Sequence, residues 1–135
     1  MVKIITGNKG SGKTKILVDM INKAAASSSG SVICVEKGMN LTYDISHKAR
    51  LIVSDEYSID CYDTCYGFIA GILSGNYDIT DVFVDGILKI GGRNYDELAK
   101  FLDKLNALSG ENIAVTITVS EDTEKLPESV TKYMM

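Results

Sequence analysis

Two hydrophobic periods alternate along this chain of 135 residues. Short β-branched runs read as buried strands: Val2 to Thr6, Ser31 to Val35 closing on Glu36, Leu51-Ile52-Val53 ending in Ser54-Asp55-Glu56, Asp81 to Asp85, and Ile113 to Val119. Leu41 to Ile45 is expected as an edge strand. Between the runs the spacing becomes helical. Ile16, Leu17, Met20, Ile21 and Ala24 share one stripe, followed by the small-residue stretch Ala24 to Gly30. A second helix is predicted from about Tyr62 to Leu73, with Cys65, Phe68, Ile69, Ile72 and Leu73 inward and Gly75 as its stop. Asn94 and Glu97 form a capping-box-like start to a third, whose buried stripe is Leu98, Phe101, Leu102, Leu105 and Leu108 and whose stop is Gly110. Pro127 can open a short C-terminal helix. Strands alternating with helices predict an α/β fold of three layers, helix–sheet–helix, around a mainly parallel sheet. Neither a repeat nor a second domain is visible, so residues 1–135 are expected to form a single domain.

Composition adds an ordinary globular balance, with 45% apolar and 24% charged residues. No apolar run approaches the ~18 residues of a membrane span. Met1 to Thr6 is too short for a secretory core, which leads us to expect a cytoplasmic protein without membrane association. The three cysteines, Cys34, Cys61 and Cys65, fit neither a disulfide framework nor a zinc site, and His47 is the sole histidine. They are expected as buried or semi-buried thiols. Tyr62 and Tyr66, four apart, are expected to pack at a core rim.

Charge is uneven. Residues 1–23 hold five lysines against Asp19, a balance of +4, while the remainder holds nine basic and seventeen acidic groups, a balance of −8. A nucleic-acid binder needs a basic stripe to release counterions. One basic spot on an acidic body instead suits a small phosphate ligand, and nucleic acid is not expected as a partner.

The basic spot coincides with Gly7-Asn8-Lys9-Gly10-Ser11-Gly12-Lys13-Thr14, a complete G-x-x-x-x-G-K-[ST] pattern between a strand and a helix. Glycines let the backbone turn its N–H groups around an anion, and the following helix aims its positive end there. Lys13 is placed to reach the outer phosphates and Thr14 to offer a hydroxyl to Mg2+.

On these residues the chain resembles the P-loop NTPase superfamily, as a single nucleotide-binding domain with a RecA-like or thymidine-kinase-like layout. The resemblance implies an NTP–magnesium site at the carboxyl ends of the parallel strands. It implies that Asp85, ending an apolar strand, is the Walker B aspartate that holds Mg2+. Asp55 and Glu56 form a rival strand end, but a strand and a helix are expected to intervene between loop and Walker B. Gly86 stands where many members carry a catalytic glutamate. Some RecA-like members use a glutamate ending the second strand instead; Glu36 matches that position, and Glu56 is the next candidate. Ser120 resembles the polar residue that senses the γ-phosphate. Arg93, after Gly91-Gly92, reads either as a finger toward a neighbouring subunit or as an exposed loop arginine.

The Asn-Lys-x-Asp motif of guanine-specific members is absent, which makes ATP the expected nucleotide. Asn8 stands where ParA-type loops carry lysine. Type II thymidine kinases share the layout, but their glutamate after Walker B and their zinc lasso are missing here. The chain is also similar to small stand-alone bacterial ATP-binding proteins named after the twitching-motility ATPase PilT, a likeness carried by the P-loop alone. The expected function is a minimal ATPase with weak or partner-dependent Mg-ATP hydrolysis. The alternative is a non-catalytic nucleotide-sensing or interaction module, with a nucleoside or small-molecule kinase third. The resemblance further implies a second copy or a protein partner, since a neighbouring subunit can complete such a site.

Overall fold

The computed structural model describes residues 1–135. Five strands, β1 (Val2–Thr6), β2 (Ser31–Glu36), β3 (Ala49–Val53), β4 (Ile79–Asp85) and β5 (Ala114–Val119), form one sheet in the order β1-β5-β4-β2-β3. Every pairing is parallel. The helices are α1 (Lys13–Ser27), α2 (Tyr62–Gly75), α3 (Ile87–Gly91), α4 (Tyr95–Ser109) and α5 (Glu128–Thr131).

Alternation along the strands decides the layers. Ile33, Val35, Val82, Val84, Val115 and Ile117 face α2, α3 and α4 in the larger core. Val32, Cys34 and Phe83 face the other way, against Leu17 and Ile21 of α1. Both faces are therefore covered, which explains why the strands read as nearly continuous apolar runs. Burial of each fully enclosed Leu or Ile contributes about 1.5–3 kcal/mol. No helix is long and apolar enough to cross a membrane.

Several local expectations change. Leu41 to Ile45 forms turns, not an edge strand. Leu41 and Ile45, four apart, both point into the α1 core, and side chains take the segment's backbone groups. Glu36 accepts from Leu41 N–H at 3.2 Å, and Asn22 bonds Asp44 O and Ser46 N at 3.0 and 2.7 Å. Cys61 is exposed, unlike Cys34 and Cys65, because it is the N-cap of α2: its sulfur accepts from Thr64 N–H while Thr64 Oγ1 accepts from Cys61 N–H. Asn94 caps α4 through Asp96 and Glu97 N–H, without the reciprocal glutamate bond of a full capping box. Ile16 and Leu108 are exposed at the edges of their stripes. The short helix α3 was not predicted; its buried Ile87, Leu88 and Ile90 span too few residues to show a period. Tyr62 lies inside the larger core and only Tyr66 sits at its rim; the Tyr62 ring is 5.3 Å from Phe101, and Gly91 is required there because a Cβ would meet that ring at 2.5 Å.

Candidate functional site

The sheet order places the site. β5 is inserted between β1, which leads into the P-loop, and β4, which ends in Asp85. The C-terminal ends of these three neighbours open onto one cleft of about 600 Å³. It is lined by Asn8, Lys9, Gly10, Gly12, Lys13 and Thr14 from the loop, by Asp85, Gly86, Leu88, Lys89 and Arg93 beyond β4, and by Ser120 and Glu121 beyond β5. Leu88 is the one apolar member. Four cations face two carboxylates, so the cleft is electropositive within a chain of net charge −4. That balance suits a polyanionic small ligand.

The loop is held at both ends. Gly7 N–H donates to Glu121 O at 3.0 Å, and Gly12 adopts φ 91° as N-cap of α1. A side chain at Gly12 would be strained in that conformation. Ser11 N–H closes a turn on Asn8 O at 3.0 Å. Lys13, the first residue of α1, is only 6% exposed. Its Nζ donates to Asn8 O at 2.8 Å and to Ser11 Oγ at 3.3 Å. Burial lowers its pKa first, Asp85 opposes that, and Lys89 adds to it. Both hydrogen-bond partners of this buried ammonium are neutral and Asp85 acts on it without a direct bond, so a phosphate would supply the bonded anion it lacks.

Asp85 is fixed by a residue that sequence reasoning missed. Thr118 Oγ1 donates to Asp85 Oδ1 at 2.8 Å and accepts from Gly86 N–H at 2.7 Å. In the sequence Thr118 passes as one more β-branched strand residue. The signal was a hydroxyl inside a strand buried on both faces, where polar groups require partners. Lys89 and Glu121 were missed as well, because neither belongs to a motif.

Glu36 is brought beside this centre, for β2 pairs with β4 and places Glu36 opposite Asp85. Its side chain is 4% exposed. Burial raises its pKa above the ordinary glutamate range; the Leu41 N–H bond pulls it down and Asp85 pushes it up. Glu36 lines a smaller recess of about 240 Å³ that shares Asp85 and Lys89 with the main cleft. Glu56 is not brought in. It lies exposed on a 3-10 turn over Ser54–Tyr57 beyond the edge strand β3, where Asp55 pairs with Lys37 at 2.9 Å. Arg93 lines the cleft of its own chain.

The arrangement fits a nucleotide with its metal. No group of three or more His, Cys, Asp or Glu side chains forms a standing metal site. Thr14 and Asp85 offer one hydroxyl and one carboxylate, which matches Mg2+, an ion that keeps several waters and takes ligands from phosphates.

No protein-family model and no curated protein matches the chain. Among solved structures, it is similar to the flagellar accessory protein FlaH from Methanocaldococcus jannaschii, with a TM-score of 0.59 at 18% identity. The match covers 97% of this chain and 65% of that one, so the chain spans less than two thirds of its neighbour. At this identity the likeness shows the fold. The chain shares with that neighbour an α/β fold, here an all-parallel five-stranded sheet between helices. Nothing in the comparison supports the PilT name.

Proposed function

We propose that this chain binds Mg-ATP in the P-loop cleft and hydrolyses it slowly, with turnover raised by a second copy or a protein partner. The observation that carries the reading is the enclosure of Lys13 by its own loop in a cleft that also holds Asp85 and Thr14. The loop N–H groups and the N-terminus of α1 bind phosphate oxygens, and Lys13 exchanges its contacts with Asn8 and Ser11 for the ligand. Thr14 and Asp85 hold Mg2+, which when bound neutralises charge on the phosphates. Glu36, with its raised pKa and its place beside Asp85, is the carboxylate available to take a proton from the attacking water.

A specific observation favours a second reading, that of a nucleotide-sensing module without turnover. Glu36 already spends its carboxylate on Leu41 N–H, and Gly86 puts no acid after Asp85. One experiment orders the two. Mg-ATP at about a hundred times its Kd adds ~2.7 kcal/mol, a rise in melting temperature of roughly 8–13 °C for a domain of this size. Lys13→Ala removes that rise; an unchanged rise in the variant would overturn the ATP reading. Phosphate release that stops in Glu36→Gln while the thermal shift persists supports hydrolysis. Binding without phosphate release in the unaltered chain decides for the sensing module.

A further inference from the structure

Glu121 is the one carboxylate besides Asp85 that lines the cleft. Its side chain, 15% exposed, has three partners. Oε2 accepts from Arg93 Nη1 at 3.1 Å and from the Tyr95 hydroxyl at 2.6 Å, and Oε1 accepts from Asp122 N–H at 2.9 Å. Its main-chain oxygen accepts the first N–H of the P-loop, that of Gly7. One residue therefore holds both the entry to the phosphate loop and the only guanidinium in the cleft.

We propose that Arg93 recognises the terminal phosphate of a nucleoside triphosphate, and that Glu121 is an internal anion occupying this arginine until the phosphate displaces it. The inference rests on the ATP reading of the cleft and deepens it, because it makes the site select triphosphate over diphosphate. Three observations support the exchange. First, the Arg93 side chain is 62% exposed, and exposed ion pairs are weak. A phosphate bound by a planar guanidinium fork makes the stronger, bidentate contact. Second, Glu121 loses little when Arg93 leaves. Its carboxyl is held below the usual glutamate range by the Tyr95 bond first and the Asp122 N–H second, with Arg93 the least of the causes. Third, the base of the arginine loop is anchored, since Tyr62 donates to Gly92 O at 2.6 Å. The side chain can then swing while the backbone stays in place. Lys9, Lys13 and Lys89 serve any phosphate in the cleft, and Arg93 alone is tied to a competing acid there.

The test is a binding cycle, read by isothermal titration with Mg-ATP and Mg-ADP, on the unaltered chain, Glu121→Gln, Arg93→Ala and the double variant. Glutamine keeps a carbonyl acceptor for Asp122 N–H and turns its amide N–H toward the Tyr95 hydroxyl, which can accept in place of donating, so the fold around it is retained. Glu121→Gln is expected to tighten ATP binding about two- to fivefold and leave ADP unchanged. Arg93→Ala is expected to weaken ATP binding about tenfold, again without effect on ADP. In the Arg93→Ala background the glutamine substitution should do nothing. A Glu121 effect that survives loss of Arg93, or an Arg93 effect that is absent or equal for both nucleotides, overturns the proposal while leaving the ATP reading intact. Failure of the unaltered chain to bind either nucleotide refutes the ATP reading, and the latch with it.

Discussion

Replacing Thr118 by valine keeps the side-chain volume and removes a single hydroxyl, which makes it a clean probe of the Asp85 clamp. Thr118 is 1% exposed, and its Oγ1 bridges Asp85 Oδ1 at 2.8 Å and Gly86 N–H at 2.7 Å. Two costs follow. Gly86 is buried, so its N–H loses an acceptor that water cannot replace, which costs about 1–3 kcal/mol. Asp85 is half-buried, and solvent recovers part of its lost bond, which leaves about 0.5–1 kcal/mol. The sum is about 1.5–4 kcal/mol. At about 3–5 °C per kcal/mol for a domain of this length, the melting temperature falls by roughly 5–20 °C. Denaturant titration measures the free energy directly, and Thr118→Ser should restore most of it because serine offers the same donor and acceptor. A loss below about 0.5 kcal/mol, or a serine variant as damaged as valine, would refute the clamp.

The remaining predictions concern titrating groups. Burial raises the folded-state pKa of Glu36 above its unfolded value, so the folded protein binds the proton more tightly. The Glu36 contribution to stability is present below the unfolded pKa and is lost as pH rises through the folded one. Glu36→Gln, which removes that penalty, should therefore melt above the unaltered chain at pH 8, with the gap closing as pH falls toward 4.5; a gap independent of pH would refute the burial argument. Burial also pushes the Cys34 and Cys65 thiols up to about 12, whereas Cys61 is exposed. A thiol reagent at pH 8 should label one cysteine per folded chain and three after denaturation, and rapid labelling of two or three would contradict the packing.

Much of the fold was legible because its cause is local. β1 and the P-loop carry their periods and glycines in adjacent residues, and α4 announces itself through Asn94, a leucine stripe and Gly110. Leu41 to Ile45 misled because five residues with apolar ends satisfy a strand pattern and a pair of turns equally. What separates them is the carboxylate of Glu36 and the amide of Asn22, both distant in sequence. Cys61 misled for a related reason: it was expected as a buried or semi-buried thiol like the other two, but its sulfur caps the start of α2 and stays exposed.

The G-x-x-x-x-G-K-[ST] loop was readable because its eight residues, Gly7 to Thr14, are consecutive. Glycine alone takes φ 91° at Gly12 at no steric cost, and lysine follows at the start of a helix. The alternation of strands and helices likewise determined a parallel sheet, because parallel neighbours need a crossover between them. Tertiary structure decided which carboxylates share the site. Asp85 and Glu36 meet because β4 and β2 are neighbours, while Glu56 is carried beyond the sheet edge by β3. It also brought Arg93 to Glu121, and Thr118 to Asp85 across thirty-three positions. Strand order sets these meetings, and it is chosen by the burial of two whole sheet faces, a property that belongs to no short stretch of chain.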